Sequence, residues 1–245
     1  MVIDHPKMKQ IVGLRQLWKE AFGDTDEFLD CFFATGFAPE RCLCATAECE
    51  VAAMAYWFGC GEYAYIYAVA TAKKFRNQGI CRALMEKIHD ILTKKGYAGC
   101  VLVPGDAGLR RFYAGMGYED FGGMQEFSCT AGTPLPVTKI SAEEFAALRR
   151  QYLPQGGVIQ EGENLTFLSS WAEFFAGEDF LLTAVREDDM LRGLELLGNA
   201  TAGPGILAAL GAKSGTFRAP GDGPFAMYLP LNEKKAPAYF GFAFD

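Results

Sequence analysis

The residues best placed to do chemistry are Arg76-Asn77-Gln78-Gly79-Ile80-Cys81, which lie between a strand-like run and an amphipathic helix. Tyr65–Thr71 is β-branched and aromatic and has the length of a strand. A helix begins at about Ile80, with Ile80, Leu84, Ile88 and Ile91 on one face, and Gly96 stops it after Lys94 and Lys95. A helix start offers unpaired backbone N–H groups and the positive end of the macrodipole. Gly79 lets a bulky anion approach the backbone, and Arg76 and Arg82 add charge. The chemistry that fits is recognition of a phosphate or pyrophosphate.

Arg76-x-x-Gly79-x-Cys81 resembles the R/Q-x-x-G-x-G/A signature of the GCN5-related N-acetyltransferases (GNATs). Downstream, Phe112-Tyr113 followed by Gly117-Tyr118 resembles the family's second signature, F-Y-x-x-x-G-F/Y, with a strand-like Gly99–Val103 between the two. The resemblance covers about Met1 to Cys129. Within the family, Ala68–Thr71 is similar to the corresponding strand of the enhanced-intracellular-survival branch, which is multidomain. Where the family has Gly or Ala this chain has Cys81, whose small side chain leaves the backbone N–H available.

The resemblance implies a GNAT fold, α+β with a mixed central sheet, and acetyl-CoA as cosubstrate. It implies that Val69, Ala70, Thr71, Arg76, Asn77, Gln78, Gly79, Ile80, Cys81 and Arg82 hold that cosubstrate, with the N–H near Val69 facing the thioester oxygen. Tyr113 takes the place of the acid that protonates the departing thiolate. Candidates for the base are Glu62, Tyr65, Tyr67 and, as in the branch just named, a C-terminal carboxylate, here Asp245. The acceptor is expected to be the amine of a small molecule or peptide. Asp24, Asp26, Glu27 and Asp30 fall on the early helices that line the acceptor side in this family, and an acidic rim would favour a cationic amine; a solvated helix face explains the same residues. A second reading is an acyl-CoA-binding sensor without turnover.

These residues need a scaffold. The first half reads as helices over Lys7–Phe22 and Asp26–Phe33, then strands over Arg41–Ala47, Val51–Phe58 and Tyr63–Ala70. The helix from Ile80, a strand at Gly99–Val103, a helix around Leu109–Met116 and a strand ending near Cys129 follow. Thr130–Val137, with two prolines and a glycine, reads as a linker. The expected organisation is a GNAT domain over 1–130, a linker over 131–137 and a smaller α+β domain over 138–245. In the latter, Ser141 and Glu144 form a capping box, Asn164–Phe175 reads as a helix, and Phe180–Arg186 and Leu191–Leu197 read as a hairpin. A helix around Gly205–Leu210 and strands near Thr216–Arg218, Phe225–Pro230 and Ala238–Phe244 complete it. This order echoes the first half, with Thr201–Gly205 standing where the basic turn stands. It is either a degenerate second copy that has lost cofactor binding or an unrelated domain.

The 245 residues are 50% hydrophobic and 13% aromatic, enough to build well-packed cores. A net charge of −7 argues against nucleic acid as a partner, and no apolar run approaches a membrane span. The N-terminus shows no signal-peptide pattern, so the expectation is a cytoplasmic protein, with a homodimer left open. The eight cysteines lie between Cys31 and Cys129. Only Cys42-x-Cys44 with Cys49 could be tested as a metal site, and with His5 and His89 as the only histidines the expectation is no metal and buried free thiols.

Overall fold

The computed structural model describes residues 1–244. Contacts divide it into two compact units: Met1–Glu119 with Tyr228–Ala236, and Asp120–Met227 with the tail from Pro237 onward. These are not successive stretches, unlike the division at 130 and 137 expected from the sequence.

The first unit contains, in order, β1 (Val2–Asp4), α1 (Ile11–Phe22), α2 (Asp26–Thr35), β2 (Cys42–Ala47), β3 (Glu50–Cys60), β4 (Tyr63–Thr71), α3 (Ile80–Lys94), β5 (Gly99–Leu102) and α4 (Ala107–Ala114). The strands neighbour one another in the order β1-β2-β3-β4-β5. The first three pairings are antiparallel and β4–β5 is parallel, with α3 as the crossover. Leu14, Trp18 and Phe32 from α1 and α2, and Leu84, Ile88 and Leu92 from α3, are buried along with both faces of β2 and β3. Two-sided burial explains why these strands are continuous apolar runs rather than alternating ones. Returning chain completes the unit beyond β5: the Leu231 N–H (2.9 Å) and the Tyr228 hydroxyl (3.2 Å) both donate to the Ala98 carbonyl. A Cβ at Gly99 would lie 2.2 Å from the Tyr228 ring, so this close approach requires glycine.

The second unit takes most of β6 (Glu119–Thr130) and then β7 (Thr138–Ile140), α5 (Ala142–Tyr152), α6 (Glu163–Leu168), β8 (Glu173–Ala176), β9 (Phe180–Glu187), β10 (Met190–Gly198), α7 (Gly203–Leu210), β11 (Ser214–Pro220) and the first part of β12 (Gly223–Pro230). Its strand order runs β7-β8-β9-β10-β11-β6. Again three antiparallel pairings lead to one parallel pairing, β10–β11, with a helical crossover. Phe180, Leu182, Leu196, Ile206, Leu207 and Phe217 form its core.

The two halves therefore share one element order, β-α-α-β-β-β-α-β, and one sequence of pairing signs, as a duplicated fold requires. The capping box at Ser141 and Glu144 is present. Two expected elements are corrected. Asn164–Phe175 is not one helix, because its second part pairs with β9 as β8. Ala238–Phe244 is not a strand; its one bridge is Gly157–Tyr239, though Tyr239–Phe244 are buried. The three-residue β1 and β7 are additions. No helix among the described residues is long and apolar enough to cross a membrane.

Candidate functional site

β4 is regular from Tyr63 to Tyr67 and then breaks. Tyr67 pairs with Tyr56 and Ala70 with Met54, so Ala68 and Val69 together oppose the single residue Ala55. Ala68 has φ 48°, in the left-handed region, a conformation that costs about 1 kcal/mol for a residue with a Cβ. The other edge of the strand is open over the same stretch. β4 pairs with β5 only over Tyr63–Tyr65 against Gly99–Val101. Beyond Tyr65 the two strands no longer pair, which leaves the β4 backbone from Ile66 to Thr71 with an edge open to a ligand. Nothing in Ala68-Val69-Ala70-Thr71 signals this break in sequence.

The chain then reaches the basic turn. Asn77 (φ 60°) and Gly79 (φ 76°) both take the left-handed conformation, and Gly79 is the N-cap of α3 without a side-chain cap. A Cβ on Gly79 would meet nothing within 4 Å. Conformation and open approach, rather than crowding, therefore call for glycine here. The N–H groups of Ile80, Cys81 and Arg82 precede the first intrahelical bond, made by Ala83 N–H to the Gly79 carbonyl at 3.0 Å. Arg76 is braced by donating from Nε to the Thr71 carbonyl (3.0 Å), and Arg82 donates to the Gly115 carbonyl (3.2 Å). Lys74 pairs with Glu50 at 2.5 Å. The turn thus combines oriented N–H donors with fixed positive charge, the requirements of an anion site.

Tyr113, on α4, closes the arrangement. It is 5% exposed and packs edge-on against Phe112 and Tyr118. Burial, aided by the nearby Cys81 thiol, pushes its phenol well above the usual range, so it stays protonated. Burial also raises Cys81, whose thiol lies beside the Thr71 side chain. Thr71 at the end of β4, Cys81 in the first turn of α3 and Tyr113 on α4 are therefore neighbours, so both signatures and the strand that precedes them meet at one place. Asn77, Gln78 and Ile80 belong to the same turn.

Other candidates lie elsewhere. Glu62 occupies the β3–β4 turn and is ion-paired with Lys234, about 23 Å along the strand from Val69 at the ordinary rise per residue. Tyr65 is buried, while Tyr67 is half-buried against Trp18, Phe32 and Phe58. Asp245 lies outside the described residues. The acidic rim is largely spoken for: Asp26 pairs with Lys19 (2.5 Å), Asp30 with Arg15 (2.7 Å), and Asp24 accepts from the Trp18 indole (2.7 Å). Cys42 and Cys44 are buried in β2, the latter raised by burial to about 11. Among the described residues no group of three or more His, Cys, Asp or Glu is placed to hold a metal.

The matching place in the second unit is built differently. β10 also bulges, between Gly193 and Glu195, where its parallel pairing with β11 ends. But Glu195 is buried there in a bidentate pair with Arg149 of α5 (2.7 and 2.8 Å). The tail lies over this pair: the Arg149 guanidinium sits 4.4 Å from the Phe242 ring centroid, and the Gln160 amide bonds the Phe242 backbone in both directions.

Residues 11–118 match the Acetyltransferase (GNAT) family. Solved structures similar to the chain include a GCN5-related N-acetyltransferase from Kribbella flavida (TM-score 0.68, 18% identity, 94% of this chain and 72% of that one). A second, from Anabaena variabilis, gives a TM-score of 0.69 at 16% identity, over 94% of this chain and 73% of that one. Eis1 from Mycobacterium abscessus gives 0.62 at 13% identity, over 91% and 66%. No curated protein sequence matches the chain significantly. With two signatures converging on one site and the fold shared, residues 11–118 of this chain form an acetyltransferase domain of the GNAT family.

Proposed function

We propose that the protein is an acetyl-CoA-dependent N-acetyltransferase acting on the amine of a small molecule or peptide. The observation that carries this reading is the juxtaposition of Thr71, Cys81 and Tyr113, which unites an open strand edge, an anion-binding turn and a proton donor. The N–H groups of Ile80, Cys81 and Arg82, with Arg76, Asn77, Gln78 and Gly79, would hold the pyrophosphate. Val69, Ala70 and Thr71 would pair through their backbone with the pantetheine arm. The fit is favourable because Gly79 is open to approach and the helix start is uncapped.

When bound, acetyl-CoA supplies a thioester carbonyl that an unprotonated amine can attack. The Val69 N–H would donate to the carbonyl oxygen as negative charge develops there. As the C–S bond breaks and the amide forms, the nitrogen would release its surplus proton to solvent while the Tyr113 hydroxyl gives its own to sulfur and regains one from solvent. Burial keeps the phenol protonated, as an acid must be before it donates, and at the same time makes it a weaker acid than a free tyrosine. Glu62 lies too far along β4 to act at the same point and is assigned no step; its pairing with Lys234 gives it a structural role instead. The neutralised carboxylates of α2 leave little net charge to select a cationic amine. A cytoplasmic location fits this chemistry, and the second unit, whose counterpart turn lacks arginine, is read as a copy without a cosubstrate site.

The test is calorimetric titration of acetyl-CoA into the protein, followed by a turnover screen of amines. Micromolar binding abolished by Gly79→Asp supports the site. Binding without turnover for any amine, and with Tyr113→Phe indistinguishable from native, would favour the acyl-CoA sensor instead.

A further inference from the structure

One buried polar group is unused by this mechanism: Tyr118, 2% exposed, in the turn that follows α4. It touches Tyr113 twice. Its N–H donates to the Tyr113 carbonyl at 3.1 Å, and the two rings meet edge-on with centroids 5.6 Å apart. The far end of its side chain is fastened to two other elements. The hydroxyl lies 2.8 Å from Nε2 of His89 on α3 and beside the Cys100 thiol on β5. A reactive side chain needs such anchoring, because a misplacement of about 1 Å can cost 10²-fold in rate.

We infer that Tyr118 is a positioning residue for Tyr113, and that His89 fixes Tyr118 by a hydrogen bond across from the same helix whose first turn forms the anion site. The inference rests on the acetyltransferase reading above and concerns how its acid is held. The contacts of the Tyr118 hydroxyl are compatible with one another: its O–H donates to Nε2 of a neutral His89, and its oxygen is left to accept from the neighbouring Cys100 S–H. Burial keeps that imidazole neutral, with its pKa down at about 4 despite the nearby Asp90. α3 thereby serves both ends of the reaction. Its N-terminus faces the anion, and its third turn, through His89 and Tyr118, sets where the Tyr113 hydroxyl points.

A double-mutant cycle on release of coenzyme A from acetyl-CoA, with water or the best screened amine as acceptor, tests this. Tyr118→Phe removes only the hydroxyl; it is expected to lower kcat about tenfold with acetyl-CoA affinity within about twofold. In a Tyr113→Phe background the same change is expected to have no further effect, because the group it positions is gone. His89→Leu should reproduce the Tyr118→Phe loss. His89→Gln, whose amide can still bond the hydroxyl, should recover to within about threefold of the native rate. Multiplicative losses in the cycle, or full activity of Tyr118→Phe, would overturn the positioning role while leaving the acetyltransferase reading standing. Full turnover by Tyr113→Phe alone would instead remove the acid itself. Melting temperatures and circular dichroism of each variant separate these outcomes from loss of fold.

Discussion

Two crossovers of the same topology, β4–α3 in the first unit and β10–α7 in the second, differ in what they do with their helix start. In the first, α3 has fifteen residues, begins at an uncapped left-handed Gly79, and is preceded and entered by Lys73, Lys74, Arg76 and Arg82. In the second, α7 has eight residues, GPGILAAL, without a charged side chain, and the Asn199 side chain caps the short turn before it. The strands match as well, since each bulges just past the point where its parallel pairing ends. In the second unit, however, Glu195 and Arg149 satisfy one another beneath the buried tail. Topology provides a place where a strand edge and a helix start open together. Whether that place binds anything depends on whether its polar groups are left for a ligand or used up by the chain itself.

The largest effect should come from undoing the self-satisfied pair in the second unit. Glu195→Ala leaves the buried Arg149 guanidinium without its carboxylate, and unfolding in urea should show a loss of about 3–5 kcal/mol. An unchanged midpoint would mean the pair is not what closes this unit. A pH contrast follows next. His89 is held neutral in the folded first unit, near 4 against an ordinary 6.5, so below pH 6.5 the unfolded chain binds the extra proton. Stability is therefore full above pH 6.5 and falls as pH drops toward 4, by up to about 1.4 kcal/mol per unit from this group. His89→Leu should reduce that slope in thermal melts taken from pH 4 to 7, leaving only the part given by carboxylates such as Glu161, which Arg150 holds below its usual range; an unchanged slope would assign it elsewhere. Tyr113→Phe should reduce kcat about 10²-fold with little change in acetyl-CoA affinity, measured by steady-state thiol release. Smallest is Gly79→Ala, which meets no steric obstacle and pays only for its left-handed backbone. Acetyl-CoA binding should weaken about tenfold by calorimetry, and a larger loss would mean the Cβ obstructs the ligand.

Much of the scaffold was legible because its residues obey simple periodicities. α3 shows its buried Ile80, Leu84, Ile88 and Leu92 at helical spacing, and Gly96 ends it with φ 82°. The two turns at Glu48-Cys49 and Asp188 were visible as polar breaks between apolar runs, and both take positive φ. What was hidden depended on partners distant in sequence. Leu165, Leu168, Ala172 and Phe175 repeat like a helix, yet pairing with β9 makes the end of that stretch a strand. Phe240, Phe242 and Phe244 alternate like a strand, yet Gly241 and Ala243 between them are also buried and the backbone is bonded by Gln160. Membership of β6 in the second unit and of Tyr228–Ala236 in the first has no local signature at all. At the site, the basic turn and Tyr113 were legible as motifs. The Ala68 bulge was not, because alanine carries no mark of a positive φ. Nor was the His89–Tyr118 bond, which joins residues 29 apart in the chain.

Calorimetric titration of acetyl-CoA into the intact chain tests the central contrast most directly. One equivalent bound per chain at micromolar affinity, and none in Gly79→Asp, is the expected result, since only the first crossover leaves its N–H groups and positive charge for a ligand. Two equivalents per chain, or one that persists in Gly79→Asp, would place a working site in the second unit and contradict the account.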